Sequence, residues 1–101
     1  MTNAILRPGG TTLRITGFEW DDANIGHIAR HNVDPDEAEQ VLQNRPVVRR
    51  SRSGRYVAIG QTDEGRYLVV VFEVRRAGRA RVVTARPAQS EERRLYRRER
   101  S

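Results

Sequence analysis

The residues best suited to chemistry lie near the end of the chain. Arg86 follows the run Val82-Val83-Thr84-Ala85, so a strand fixes its backbone just where the strand meets solvent. A guanidinium held this way can make paired hydrogen bonds to phosphate oxygens and stabilise charge building on a phosphorane. Glu92 and Tyr96 are four apart, so they share one face of the helix expected behind Pro87. A fixed arginine, a carboxylate and a phenol supply the clamp, the base and the proton donor that RNA cleavage needs. The same helix carries Arg93, Arg94, Arg97 and Arg98, which either grip an RNA backbone or solvate a surface helix. Residue types alone leave both readings open.

His27 and His31 are also four apart. Two imidazoles at that spacing can share a zinc ion, but a catalytic site needs a third ligand, and no glutamate follows His27 as in HExxH. No metal and no cofactor is expected. His31 stays a candidate for acid–base work, because histidine is the side chain that ordinarily titrates near neutrality. Trp20 reads as a core anchor, and Tyr56 and Tyr67 as aromatic packing on neighbouring strands. Glu73 interrupts an apolar strand, where a carboxylate requires a partner. Arg66, Arg75 and Arg81 are the candidates, and a cross-strand ion pair is favoured over a general base.

These side chains must be positioned by a short chain. Its 101 residues suffice for one compact domain, 37% hydrophobic and 32% charged. There is no cysteine, hence no disulfide, thiolate nucleophile or thiolate metal site. No apolar run approaches the roughly 20 residues of a membrane span, so a cytoplasmic protein is expected. All 19 basic residues are arginine, which excludes a P-loop lysine, a Schiff base and a lysine base. Residues 1–44 hold three arginines against seven acids, and residues 45–101 hold sixteen against six. That asymmetry points the C-terminal half toward a polyanion or an acidic protein.

Residues 1–11 read as a flexible arm, with Pro8-Gly9-Gly10 preventing regular structure, and residues 12–101 as the single domain. "TLRITGFEW" is a short strand leading to Trp20. Asp21 or Asp22 can cap a first helix. The second helix carries Asp34 as cap, Pro35 at its first position and Glu37 where a capping box wants it. Ala38, Val41 and Leu42 form its buried stripe, and Asn44-Arg45-Pro46 ends it. The period then changes to two: "RYVAIGQT", "RYLVVVFEV" and "ARVVTAR" form a meander. Residues 67–74, apolar on both faces, make its central strand. Ser90 caps a final helix, with acids in its first turn and arginines toward its end. Two helices, an antiparallel meander and a C-terminal helix make an α+β fold.

In order and spacing, "FEWDDANIGHIARHNVDPDEAEQVL", "YVAIGQT…GRYLVVVFEV" and "RVVTARPAQSEERRLY" resemble the BrnT family of toxins over residues 18–96. The resemblance implies a RelE-like ribonuclease fold, RNA cleavage that arrests growth, and neutralisation by a ribbon-helix-helix, BrnA-like antitoxin. A homodimer within the toxin–antitoxin complex is compatible with it. His31, Arg66, Arg86, Glu92 and Tyr96 fall on the family's functional positions. Glu91 stands where the family often has a basic residue, and the N-terminal arm is longer than usual. The reading is a metal-independent endoribonuclease in which the 2′-hydroxyl attacks the adjacent phosphate. Two alternatives are a non-catalytic nucleic-acid-binding module and a pure interaction protein.

Overall fold

A computed structural model describes residues 4–100. Its principal sheet has five strands: β3 (Gly17–Glu19), β4 (Val47–Arg50), β5 (Tyr56–Gln61), β6 (Tyr67–Val74) and β7 (Arg79–Pro87), in the order β3-β7-β6-β5-β4. The meander is antiparallel, and β6 is central, as its two apolar faces require. Three helices complete an α+β fold: α1 (Asp22–Ala29), α2 (Pro35–Gln43) and α3 (Ser90–Arg100). Helices α1 and α2 cover one face of the sheet, where Ile28, Ala38, Val41 and Leu42 meet Ala58, Leu68, Val70 and Phe72. On the other face, Leu95 and Tyr96 of α3 pack on Val47, Ile59 and Val69.

The expected loose arm is in part a strand. Ala4–Leu6 forms β1 and pairs antiparallel with β2 (Leu13–Ile15) in a separate two-stranded sheet. Residues 1–3 of the arm lie outside the described residues. Ala4 and Leu6 are buried in the main core with Ile15. Pro8-Gly9-Gly10 turns the chain back rather than merely disrupting it. Gly9 and Gly10 have φ of 58° and 88°, values glycine adopts without steric cost.

"TLRITGFEW" is therefore two strands. They part at Thr16, whose N–H donates to the Gly78 carbonyl at 2.9 Å. Gly78 has φ of 77°, and a Cβ there would lie 2.9 Å from the Arg14 carbonyl oxygen, so glycine is needed for this close approach. Beyond Thr16 the chain enters the large sheet as β3, parallel to β7, which the meander reading did not contain.

Local caps explain the helices. The Asp21 carboxylate accepts from the Ala23 and Asn24 N–H groups, while Asn24 Oδ1 accepts from the Asp21 N–H at 2.8 Å. Buried Asn24 also donates to the Glu19 and Val82 carbonyls, tying α1 to the edge of β7. In α2, Glu37 accepts from the Asp34 N–H at 3.0 Å. Trp20 packs against the core as an anchor, and its indole donates to Glu39 of α2 at 2.7 Å. Ser90 is the first residue of α3 rather than the residue before it. The reach back over that end is made by Glu92, which accepts from the Gln89 N–H at 2.8 Å.

Candidate active site

Arg86 reaches its face through a β-bulge. Ala80 and Val82 of β7 are buried under the helix pair, and unbroken alternation would send residue 86 to the same side. The register to β6 slips by one between Val71 and Phe72: Val82 faces Phe72, whereas Thr84 faces Val71. Val83 is the extra residue. After it Ala85 turns into the core and Arg86 pairs with Val69 on the α3 face. One inserted residue thus converts a position due to be buried into a half-exposed cation.

There Arg86 meets Glu92. Its Nη1 and Nη2 donate to Glu92 Oε1 and Oε2 at 2.8 and 2.6 Å, a two-pronged pair, and Nη1 also donates to the Pro87 carbonyl. The pair is partly open, with side chains 38% and 24% exposed. The hydrogen bonds from Arg86 hold the Glu92 carboxyl below the ordinary glutamate range, with the Gln89 N–H helping and partial burial opposing. Glu92 in turn raises the Arg86 guanidinium. Free of RNA, then, Glu92 is an ionised, occupied carboxylate rather than a waiting base.

The other expected residues are distributed. Tyr96 is buried, edge-on to Tyr67 at 5.8 Å, and its phenol oxygen accepts from Arg100 at 3.1 Å. It packs α3 on the sheet. Arg66 lies on the opposite face from Arg86. It donates to the Asn32 carbonyl at 2.7 Å and to both oxygens of Glu37 at 3.0 Å, bracing the α1–α2 joint. His31 occupies that joint, exposed, with its ring 6.1 Å from that of His27. Among the described residues, no group of three His, Cys, Asp or Glu is placed to hold a metal ion. Arg93 turns back to the Ala88 carbonyl and Ser90, and Arg97 lies over the Tyr67 ring at 6.0 Å. Arg94 and Arg98 are exposed on α3.

Glu73 has its ion pairs, with Arg55 at 3.1 Å and Arg75 at 3.5 Å. Arg55 was not among the candidates, and Arg81 is instead paired with Asp21 at 2.9 Å. Tyr56 and Tyr67 sit at opposite ends of their paired strands: Tyr56 stacks on Phe72, and Tyr67 on α3.

Helix α3 covers the Val47–Ile59–Val69 row of its sheet face and reaches Tyr67 and Val57 on either side of it. The next row runs Arg49, Val57, Val71, Thr84, and its three members after Arg49 are half-buried. Beyond it a cavity of about 260 Å³ is lined by Arg55, Glu73, Arg81 and Val83, with His27 on its α1 side. The open face is thus bordered by Arg49, Arg55, Arg81 and Arg86 and flanked by one histidine of the α1 pair. Sequence reasoning missed the bulge, and it weighed His27 only as half of a possible metal pair, whereas His27 borders this cavity. The signal for the bulge is present in retrospect: Ala80, Val82 and Ala85 are the buried small residues, and their spacing contains one residue too many for alternation.

Fold and site define a small basic α+β protein in which α3 leaves part of one sheet face open. The profile of the family described as "Ribonuclease toxin, BrnT, of type II toxin-antitoxin system" matches residues 20–92, and the chain belongs to that family. Membership makes it a ribonuclease toxin with RNA as target and an antitoxin as partner. No curated protein and no solved structure matches it.

Proposed function

We propose that the chain is a metal-independent endoribonuclease that cuts RNA on the open sheet face and so arrests growth in the cytoplasm, restrained by a ribbon-helix-helix antitoxin. The observation that carries the reading is the two-pronged Arg86–Glu92 pair at the end of the sheet. The two non-bridging oxygens of a phosphodiester present a two-acceptor edge like that of the carboxylate they would replace on Arg86. When phosphate takes the guanidinium, Glu92 loses the contact that depresses its proton affinity and is left beside the reacting group. It then accepts the 2′-hydroxyl proton while the 2′-oxygen attacks phosphorus. The bond to the 5′-oxygen breaks, that oxygen takes a proton from water, and a 2′,3′-cyclic phosphate remains. Arg86 stabilises the charge on the phosphorane. Arg49, Arg55 and Arg81 guide the backbone across the face, and Arg93, Arg94, Arg97 and Arg98 add field from α3. Arg66 and Tyr96 act as positioning residues, one for the joint bearing His31 and one for α3.

The test is cleavage of a single-stranded RNA by the purified chain in EDTA, with the ends of the products analysed. Cyclic phosphate termini and undiminished rate are expected. Binding without cleavage in any buffer would favour the module whose arginines only hold phosphates, and activity lost to chelator and restored by zinc would overturn the metal-free route.

A further inference from the structure

A second cavity lies away from the open face. It has a volume of about 580 Å³ and lies between β1, the α2–β4 joint and the last turn of α3. Its apolar lining is Ile5, Leu6 and Pro46, and its cations are Arg7, Arg45 and Arg100. Ile5, at 50%, is the most exposed large hydrophobic among the described residues. Glu99, the acid in the lining, is already bound to Arg49 at 2.6 Å. Arg100 is drawn onto the carbonyls of Asn44 and Arg45. The guanidinium groups of Arg7 and Arg45 make no hydrogen bond or ion pair among the described residues. Arg45 also holds φ at 53°, an uncommon conformation for a side-chain-bearing residue. The hollow is therefore apolar at its floor and carries two uncommitted positive charges.

We infer that this cavity is a docking site for an acidic, leucine-like segment of a partner polypeptide, which on the family reading is the antitoxin. Charge complementarity selects the occupant: carboxylates satisfy Arg7 and Arg45, and an aliphatic side chain covers Ile5 and Pro46. RNA fits less well, because no aromatic ring lines the hollow for a base to stack on. Five of the seven lining residues (Ile5, Leu6, Arg7, Glu99 and Arg100) lie outside the matched residues 20–92. Most of the site thus lies in parts of this chain beyond the family profile, with Arg45 and Pro46 inside it, a place for a device that chooses one partner over another. Glu92 and Arg100 are eight residues apart on α3, roughly 12 Å along its axis. A partner anchored here holds the toxin without consuming Arg86.

The experiment titrates the full chain with an eight-residue peptide of alternating leucine and glutamate, followed by amide chemical shifts. Shifts are expected at Ile5, Arg7, Arg45 and Arg100. A peptide of alternating leucine and glutamine, or of serine and glutamate, should bind at least about tenfold more weakly. The double variant Arg7→Gln, Arg45→Asn should lose about tenfold in affinity for the first peptide. Asparagine is chosen because it tolerates positive φ. RNA cleavage by the same variant should stay at the unaltered rate, which proves folding and separates this inference from the ribonuclease reading. No binding, unchanged binding by the variant, or shifts confined to the Arg86 face would overturn it. So would an octauridine that shifts these amides more than the peptide does.

Discussion

The two faces of the sheet follow different rules. Under α1 and α2, Phe72, Leu68, Val70, Val82 and Ala85 are fully buried, and Asp21 and Glu37 there are committed to caps, Glu37 also to Arg66. On the α3 face the buried row gives way to half-buried valines and a border of arginines. One face stores the folding energy, while the other is kept unfinished at some cost in stability. The difference teaches where to place function, and three measurements can break or sharpen it.

The largest effect should come from paired truncations of neighbouring β6 residues. Phe72→Ala empties a site with no exposure and should cost about 3 to 5 kcal/mol by denaturant unfolding. Val71→Ala, on the open face, should cost about 1 kcal/mol or less. Equal losses would mean that the α3 face is as fully packed as its opposite.

Next is Glu92→Gln. It removes the base, so cleavage should fall by about 10² or more, yet RNA should bind more tightly because Arg86 is released. In the unaltered chain, kcat/KM should stay level over about pH 5 to 8, since the free enzyme's Glu92 is held below the ordinary glutamate range. An acid limb near neutrality, kept in the glutamine variant, would move the base from Glu92 to a histidine.

The smallest effect concerns acid stability. The folded carboxyl of Glu92 is depressed relative to the unfolded chain. Its contribution is therefore present above about pH 4.3 and fades as pH falls through the lower folded value. For a partly open pair this amounts to about 1 kcal/mol or less. Unfolding at stepped pH should show a larger fade in the unaltered chain than in Glu92→Gln, where Asp21 and Glu99, held below their ordinary range by Arg81 and Arg49, still contribute.

Much of this was legible in the sequence. Local signals act over a few residues, so α2, the three long strands and the central place of β6 could be read from caps and periodicity. What escaped depends on pairing rather than on pattern. Parallel β3 exists because of a partner about 60 residues along the chain. The three-residue strands of the β1–β2 hairpin and the single extra residue of the Val83 bulge are too short to leave a period of their own. The charge asymmetry was read too simply. Three of the sixteen C-terminal arginines, Arg66, Arg79 and Arg81, bind acids of the first half, so part of the excess is internal complement. At the site, Arg86 and Glu92 were legible together as clamp and base, but their direct bond depends on the bulge. Arg66 was read as a helper of Arg86 because sequence does not reveal which face of a sheet a residue occupies.

That last distinction gives the most direct test. Cleavage rates per folded molecule should be compared for Arg86→Ala and Arg66→Ala, with the folded fraction of each fixed by its own unfolding curve. Loss of one preorganised charge on the reactive face should reduce the Arg86→Ala rate by about 10² to 10³. Arg66→Ala should cost about 1 kcal/mol of stability from the lost Glu37 pair and leave its rate within about threefold. A full rate for Arg86→Ala together with a collapsed rate for Arg66→Ala would place the chemistry on the helix-covered face and contradict the account.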